Sequence, residues 1–256
     1  MKIKDRIIVI TGAAGGVGAA AARRFAAEGA ELVLTDVVEG PLLHISAEIG
    51  AAAHAGDIAS ESTVRAVAAL AHARHGRIDI WFSNAGSAGP SDPGGLQTNE
   101  VWQQLWDLHV MSHVYAARAV LPEMLERGEG YLLQTASLVA LAMQVDRAHY
   151  TVTKHAALSF SEWLAANYRH RGIRVSCFCP GAMDTRMLRE SGLPADHAAF
   201  RHALSPERVA ELLVRGIDAE KFLIGNQGPA DAAGELTLKA TDYEAWLGKM
   251  SALASR

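Results

Sequence analysis

Tyr150 and Lys154 stand four residues apart in the run Tyr150-Thr151-Val152-Thr153-Lys154, and Ser137 lies 13 residues upstream of the tyrosine. On a helix, positions i and i+4 share one face, a turn apart. A phenol and an ammonium then sit side by side. The ammonium favours the phenolate, so the spacing predicts a tyrosine whose pKa falls from about 10 toward working pH. Such a group can give and take a proton. A serine hydroxyl beside it can hydrogen-bond a developing alkoxide. Ser137, Tyr150 and Lys154 are therefore the candidate catalytic residues. The pair by itself is common on helix surfaces, where a tyrosine packs on a lysine stem. Its weight comes from the residues around it.

A second group of residues suggests an anion-binding turn. Thr11-Gly12-Ala13-Ala14-Gly15-Gly16-Val17-Gly18 follows an apolar β-branched run, Ile7 to Ile10, and precedes an Ala-rich stretch. Glycines let backbone approach a pyrophosphate, and a helix start offers that anion free N–H groups and a positive dipole end. Gly12, Gly15, Gly16, Val17 and Gly18 are thus candidate dinucleotide-binding positions. Asp36 ends the next strand-like run, and it and Val37 after it are further candidate dinucleotide contacts; neither Gly15 in the turn nor Val37 is basic. A carboxylate there accepts ribose hydroxyls and repels a 2′-phosphate, which points to NAD rather than NADP. Asp57 and Ile58 can bond and cover the adenine, although a turn-forming Asp ahead of a helix reads nearly as well.

These residues need elements that hold them. Apolar runs at 7–10, 31–35, 52–55, 78–83, 131–135, 173–179 and 221–224 read as strands. Helical stretches at 19–28, 40–50, 61–74, 99–127, 149–170 and a segment opened by Ser205-Pro206-Glu207 alternate with them. Ser60 and Ser205 stand at helix starts as caps, and Pro122 is the place where the long helix 99–127 would distort. Strand–helix alternation predicts a single-domain α/β fold, a Rossmann-like doubly wound sheet of about seven parallel strands with helices on both faces. Thr11, Gly12, Asp36, Asp57, Asn84, Ser137 and Pro180 then fall at strand carboxyl ends, where such sheets bind ligands. Residues 182–204 lack a sustained period and read as a substrate lid, and 231–256 as a C-terminal helical tail.

Bulk properties narrow the classes. The chain has 256 residues, half of them hydrophobic, and a net charge of −4. Nothing here favours nucleic acid or an anionic membrane as partner. Cys177 and Cys179 share one face of a strand, a spacing that bridges poorly, so buried free thiols and a reducing, cytoplasmic setting are expected. The charged start of the chain does not read as a signal peptide. No H-E-x-x-H occurs, and His72 and His75 have no carboxylate or Cys beside them in the sequence, so no metal site is expected.

Taken together, these motifs resemble the short-chain dehydrogenase/reductase family across residues 5–225. They are the glycine turn at 11–18, Asp57, Asn84-Ala85-Gly86, Ser137, Tyr150 with Lys154, and Pro180-Gly181 with Thr185. The resemblance implies an NAD-dependent oxidoreductase that moves a hydride between nicotinamide and a secondary alcohol or ketone. Tyr150 would carry the proton, Lys154 would lower its pKa and bind the nicotinamide ribose, and Ser137 would hold the substrate oxygen. Asn84, Ala85, Gly86, Pro180, Gly181, Met183 and Thr185 would line the dinucleotide. It also implies a homodimer or homotetramer built on the helices at 99–127 and 149–170. Where the family places an Asn that holds a relay water, this chain has His109, which would titrate near pH 6.5 and take over the relay.

The substrate half is less defined. Val139, Met143, Met187 and Leu188, with Ser137 and Tyr150, are the candidate substrate contacts, within flanking runs at 87–90, 138–145 and 183–188 and His149. Their apolar character favours a neutral hydrophobic alcohol. Arg147 and Arg186 are the available anion partners, but are expected in solvent. Tyr243, Trp246 and Leu247 form an apolar stripe for a neighbouring subunit or the chain's own core. A non-catalytic dinucleotide sensor on the same fold is the competing function, and the intact Ser137, Tyr150 and Lys154 argue against it.

Overall fold

The computed structural model describes residues 1–91, 96–191, 194, 196–225 and 236–254. The elements run β1 (Ile7–Thr11), α1 (Gly16–Ala27), β2 (Glu31–Asp36), α2 (Glu39–Ile49), β3 (Ala52–Ala55), α3 (Glu61–His75), β4 (Ile80–Ser83), α4 (Asn99–Trp106), α5 (Ser112–Arg127), β5 (Gly130–Thr135), α6 (Ala148–Tyr168), β6 (Ile173–Phe178), α7 (Arg186–Arg189), α8 (Ala198–Arg201), α9 (Pro206–Asp218), β7 (Leu223–Ile224) and α10 (Tyr243–Ala254). The strands form one seven-stranded parallel sheet in the order β3-β2-β1-β4-β5-β6-β7.

Period-two alternation divides the sheet between two cores. Ile8, Ile10, Leu32, Leu34 and Phe82 face the Ala-rich side of α1 and Val209, Leu213 and Ile217 of α9. Val9, Val33, Trp81, Leu132 and Val175 face the opposite layer, where α3, α5 and α6 supply Val64, Val67, Val120, Met124 and Leu164. Both faces are covered, which is why β1 is apolar at nearly every position and wholly buried. The chain leaves β1 toward β2 and β3, then returns to the other side of β1 as β4. That reversal opens a crevice at the carboxyl ends of β1 and β4.

Four details depart from the sequence reading. Helix α1 starts at Gly16, so the last glycines of the turn are helical. The long helix is interrupted at Asp107–Met111 by a π-helical turn, and Pro122 is accommodated inside α5. The wider turn adds a residue to the helical path, and His109 and Val110 are buried within it. Ser60 precedes α3, but its hydroxyl meets Ser62 Oγ at 2.8 Å, whereas Ser205 does cap α9 by accepting the Arg208 N–H at 3.2 Å. The tail is helical at 236–241 and in α10, while 226–235 lie outside the described residues.

Trp246 of α10 is buried at 1% exposure against its own chain, with the Tyr243 ring at 5.4 Å and the Lys239 ammonium 4.5 Å from its centroid. Cys177 and Cys179 are both buried and free, their sulfurs 3.7 Å apart. Among the described residues, no helix is long and apolar enough to cross a membrane.

Candidate active site

Two hollows open side by side at the carboxyl edge of the sheet. One is lined by the glycine turn, Asp36, Asn84, Ala85, Gly86 and Lys154. The other is lined by Ser137, Val139, Met143, Arg147 and Leu188. Tyr150, Pro180, Met183, Thr185 and Met187 belong to both. Tyr150 thus stands at the junction, with Ser137 on one side and Lys154 on the other.

The glycine turn is shaped by close approach. Gly12 has φ +66°, and a Cβ there would lie 2.8 Å from Ala85 Cα. At Gly18 a Cβ would come within 2.0 Å of the Gly12 carbonyl oxygen, so this glycine packs the helix under the turn and does not line the hollow. Around Gly15 the space is open. The first turn of α1 carries no acidic residue, leaving its N–H groups and dipole end uncompensated. Asn84 braces this arrangement from β4: its amide nitrogen donates to Thr11 O at 3.0 Å and Gly12 O at 3.2 Å. The Thr11 hydroxyl accepts the N–H groups of Asn84 and Ala85 at 2.9 and 3.0 Å. Asp36 accepts the Ala14 N–H on one oxygen at 2.9 Å and the Val38 N–H on the other at 3.0 Å. Each carboxylate oxygen keeps further acceptor capacity toward the hollow.

Some expected contacts are not brought to this hollow. Val37 is 64% exposed and points away, while Val38 and Pro41 line the wall instead. Ile58 is buried in the core with Val9 and Val33. Asp57 closes the turn before α3 by accepting the Ala59 N–H at 2.9 Å. Gly181 lines the second hollow, not the first. Ala14, Ser87, Thr135 and Ala136 also line the first hollow. They neighbour predicted residues along the chain, which was the only sequence signal for them.

The tyrosine's electrostatics reverse the expectation. Burial raises the Tyr150 pKa, outweighing the Ser137 hydroxyl and the Arg147 charge, which favour the phenolate. Lys154 is itself nearly sealed from solvent and donates to Thr135 O at 3.2 Å. Its ammonium lies 5.7 Å from the Tyr150 ring centroid, and burial lowers its pKa to about 8. The lysine pays for its own desolvation before it can stabilise a neighbour. Ser137 is buried at the end of β5, extended, and its oxygen accepts the Val139 N–H at 3.2 Å.

His109 also differs from its expected behaviour. Its Nδ1 meets Thr153 Oγ1 at 2.9 Å, and its Nε2 accepts the Ser87 N–H at 3.2 Å. The neutral ring with the proton on Nδ1 satisfies both contacts. Burial, reinforced by the Lys154 charge, holds its pKa well below 6.5, so it does not titrate there. His109 and His113 do share the four-residue spacing of a helical ligand pair, but the described residues contain no group of three metal-ligating side chains. His72, expected without an acid, meets Glu123 of α5.

The second hollow has a volume of about 350 Å³. All six expected substrate contacts line it: Ser137, Val139, Met143, Tyr150, Met187 and Leu188. His149 does not; it is buried against Trp102, rings edge-on at 6.2 Å. The largest correction concerns Arg147. Instead of facing solvent it is 5% exposed and lines this hollow, held by two distant carbonyls, Gly89 O at 3.2 Å and Ser191 O at 3.1 Å. Arg186 is exposed as expected, pairs with Glu190 at 2.7 Å, and borders the first hollow.

A sequence model of the short chain dehydrogenase family matches residues 6–195. The chain is 36% identical over 239 residues to a 1-deoxy-11-beta-hydroxypentalenate dehydrogenase of Streptomyces exfoliatus, covering 90% of this chain and 86% of that protein. It is 30% identical over 234 residues to a cis-4-hydroxycyclohexanecarboxylate dehydrogenase of Sinomonas cyclohexanicum, covering 86% and 93%. A solved short chain dehydrogenase/reductase from Burkholderia phymatum, in complex with NAD, superimposes with a TM-score of 0.82 at 26% identity over 96% of both chains.

Proposed function

The chain belongs to the short-chain dehydrogenase family and is an oxidoreductase, and we propose that it interconverts a hydrophobic secondary alcohol and its ketone using NAD, with Tyr150 as general acid and base. The observation that carries this reading is the position of the Tyr150 phenol between the two hollows. The first hollow fits a nicotinamide dinucleotide: the space around Gly15 is open, no Cβ narrows the turn at Gly12 or Gly16, and the start of α1 presents free N–H groups to a pyrophosphate. Bound there, the nicotinamide supplies the hydride acceptor or donor. Asp36 would hold the adenosine ribose and disfavour a 2′-phosphate, which supports NAD over NADP.

The chain's own residues supply the proton chemistry. In oxidation, the carbinol carbon gives up its hydrogen with two electrons, and the hydroxyl proton passes to Tyr150. In reduction, the phenol returns that proton to the carbonyl oxygen. Ser137 would steady that oxygen from the second hollow. Lys154 would bind the nicotinamide ribose and, once the dinucleotide limits its alternatives, bias the phenol toward phenolate. His109 would hold the Ser87 backbone rather than relay a proton, because both ring nitrogens are already engaged. A His109→Asn variant with an altered inflection near pH 6.5 would restore the relay role.

Two relatives are named as dehydrogenases of a hydroxylated pentalenate and a hydroxycyclohexanecarboxylate, which supports an alicyclic hydroxyl as the group oxidised. Residues 182–204 would act as the lid over it. Exposed Val152 and Trp163 on α6, at 46% and 52%, support self-association as a homodimer or homotetramer, and the two free thiols suit a reducing cytoplasm. The test is absorbance of reduced nicotinamide when protein, NAD and a panel of cyclic secondary alcohols are mixed. NAD binding without turnover across the panel would favour a non-catalytic sensor.

A further inference from the structure

Arg147 is the single charged side chain lining the second hollow among the described residues. It is buried, and a buried guanidinium needs partners for its charge and its five N–H groups. Its Nη1 donates to Gly89 O and its Nη2 to Ser191 O, both neutral acceptors. Its Nε forms an ion pair with Asp146 Oδ2 at 3.4 Å, a long contact to an oxygen that also accepts the Ser91 hydroxyl at 2.9 Å, and this is its one charged partner among the described residues. These contacts use three of the five N–H groups and leave one on each Nη. The two carbonyls fix the plane of the guanidinium, and the rest of the wall is neutral: Val139, Met143, Met187 and Leu188 with Ser137 and Gln144.

We propose that Arg147 binds a carboxylate on the substrate, so that the preferred alcohol is a hydroxy acid with an apolar ring between hydroxyl and carboxylate. The planar fork suits a carboxylate, and the hollow's low polarity strengthens a charge-assisted bond there. The alternative, that Arg147 only staples the loop at Gly89 to the segment at Ser191, explains two of its bonds. It does not explain why a permanent cation, costly to desolvate, lines an otherwise neutral pocket where an uncharged donor would serve. This inference rests on the dehydrogenase reading, and its test separates the two.

The probes are 4-oxocyclohexanecarboxylate and its methyl ester, titrated by calorimetry into protein saturated with NAD, a ketone and oxidised coenzyme between which no hydride can pass. NAD and NADH titrations alone report the dinucleotide reading. The acid is expected to bind at least about tenfold tighter than the ester, the low end for hydrogen bonds to a charged group. Arg147→Met should abolish that difference by weakening the acid, leaving the ester nearly unchanged. Arg147→Lys, which keeps the charge, should retain part of it. Because the acid-to-ester ratio is read first in the unmodified protein, a variant that fails to fold does not remove the test. Equal affinities for acid and ester, no binding of either, or parallel losses in Arg147→Met would overturn the proposal.

Discussion

Gly12, Gly15 and Gly16 shape one hollow beside Tyr150, whereas Val139, Met143, Arg147 and Leu188 shape the other. The first is made from backbone: a left-handed glycine, a helix start and an Asn clamped onto two carbonyls. The second is made from side chains delivered by segments far apart in the chain. A backbone-built site accepts one ligand geometry, because its shape is fixed where a Cβ at Gly12 would meet Ala85 Cα at 2.8 Å. A side-chain-built site can change its contents without moving the sheet. The division explains how a fixed coenzyme position can serve differing substrates, with the tyrosine answering to both.

Substitutions can break this contrast, and the largest effect belongs at the junction. Tyr150→Phe should lower kcat by about a thousandfold, within the range of general acid–base catalysis, while NADH binding measured by fluorescence holds. If dinucleotide affinity fell equally, the phenol would be part of the first hollow and not a boundary. Next is Asp36→Ala, which should lower kcat/KM for NAD roughly 30-fold, as expected for a lost charge-assisted bond, and leave the substrate KM unchanged. An unaltered NAD-to-NADP preference in steady-state kinetics would remove Asp36 from cofactor selection. Leu188→Ala should act on the other side alone, raising the substrate KM roughly tenfold through lost apolar contact without changing the KM for NAD.

The smallest effect is on stability against pH. Burial lowers the folded-state Lys154 pKa to about 8, against about 10.4 unfolded. Between these values the unfolded chain binds more protons, so this residue makes stability rise with pH from about 8 to about 10. Below pH 8 the lysine is charged in both states, and the burial cost is borne in full. Urea unfolding at pH 7.5 and pH 9.5 should show that rise diminished in Lys154→Met relative to the unmodified protein. An identical pH slope in both would mean that the lysine is solvated in the folded state.

The same contrast governs what the sequence made legible. Strand positions and the glycine turn follow from apolar runs and from a residue with special backbone freedom, so the sheet, the first hollow and the Ser137, Tyr150 and Lys154 cluster could be read directly. The side-chain environment could not. Arg147 looked like a surface residue because its burial depends on the Gly89 and Ser191 carbonyls, 58 and 44 residues away. His109 looked titratable because nothing local shows that Ser87 and Thr153 would engage both nitrogens. Tyr150 was expected to be acidic because helical spacing reports its neighbour but not its burial. For Asp57 and Ile58 position alone leaves an adenine contact and a helix-starting turn nearly equal, and only the folded chain shows Asp57 holding the turn and Ile58 in the core.

One last feature lies at the base of residues 182–204. Met183 pairs with Leu204 in a parallel bridge; Leu204 N–H donates to Ala182 O at 3.2 Å, and Asp184 N–H donates to Leu204 O at 2.9 Å. Both ends of the segment therefore leave the scaffold through one narrow neck. Changes in length or composition beyond the neck need not propagate into β6 or α9, since the closure is already made there. The stretch beyond Leu188 is in effect an exchangeable cassette, whereas Met183, Thr185 and Met187, which line both hollows, have to stay if the first hollow is to keep its wall.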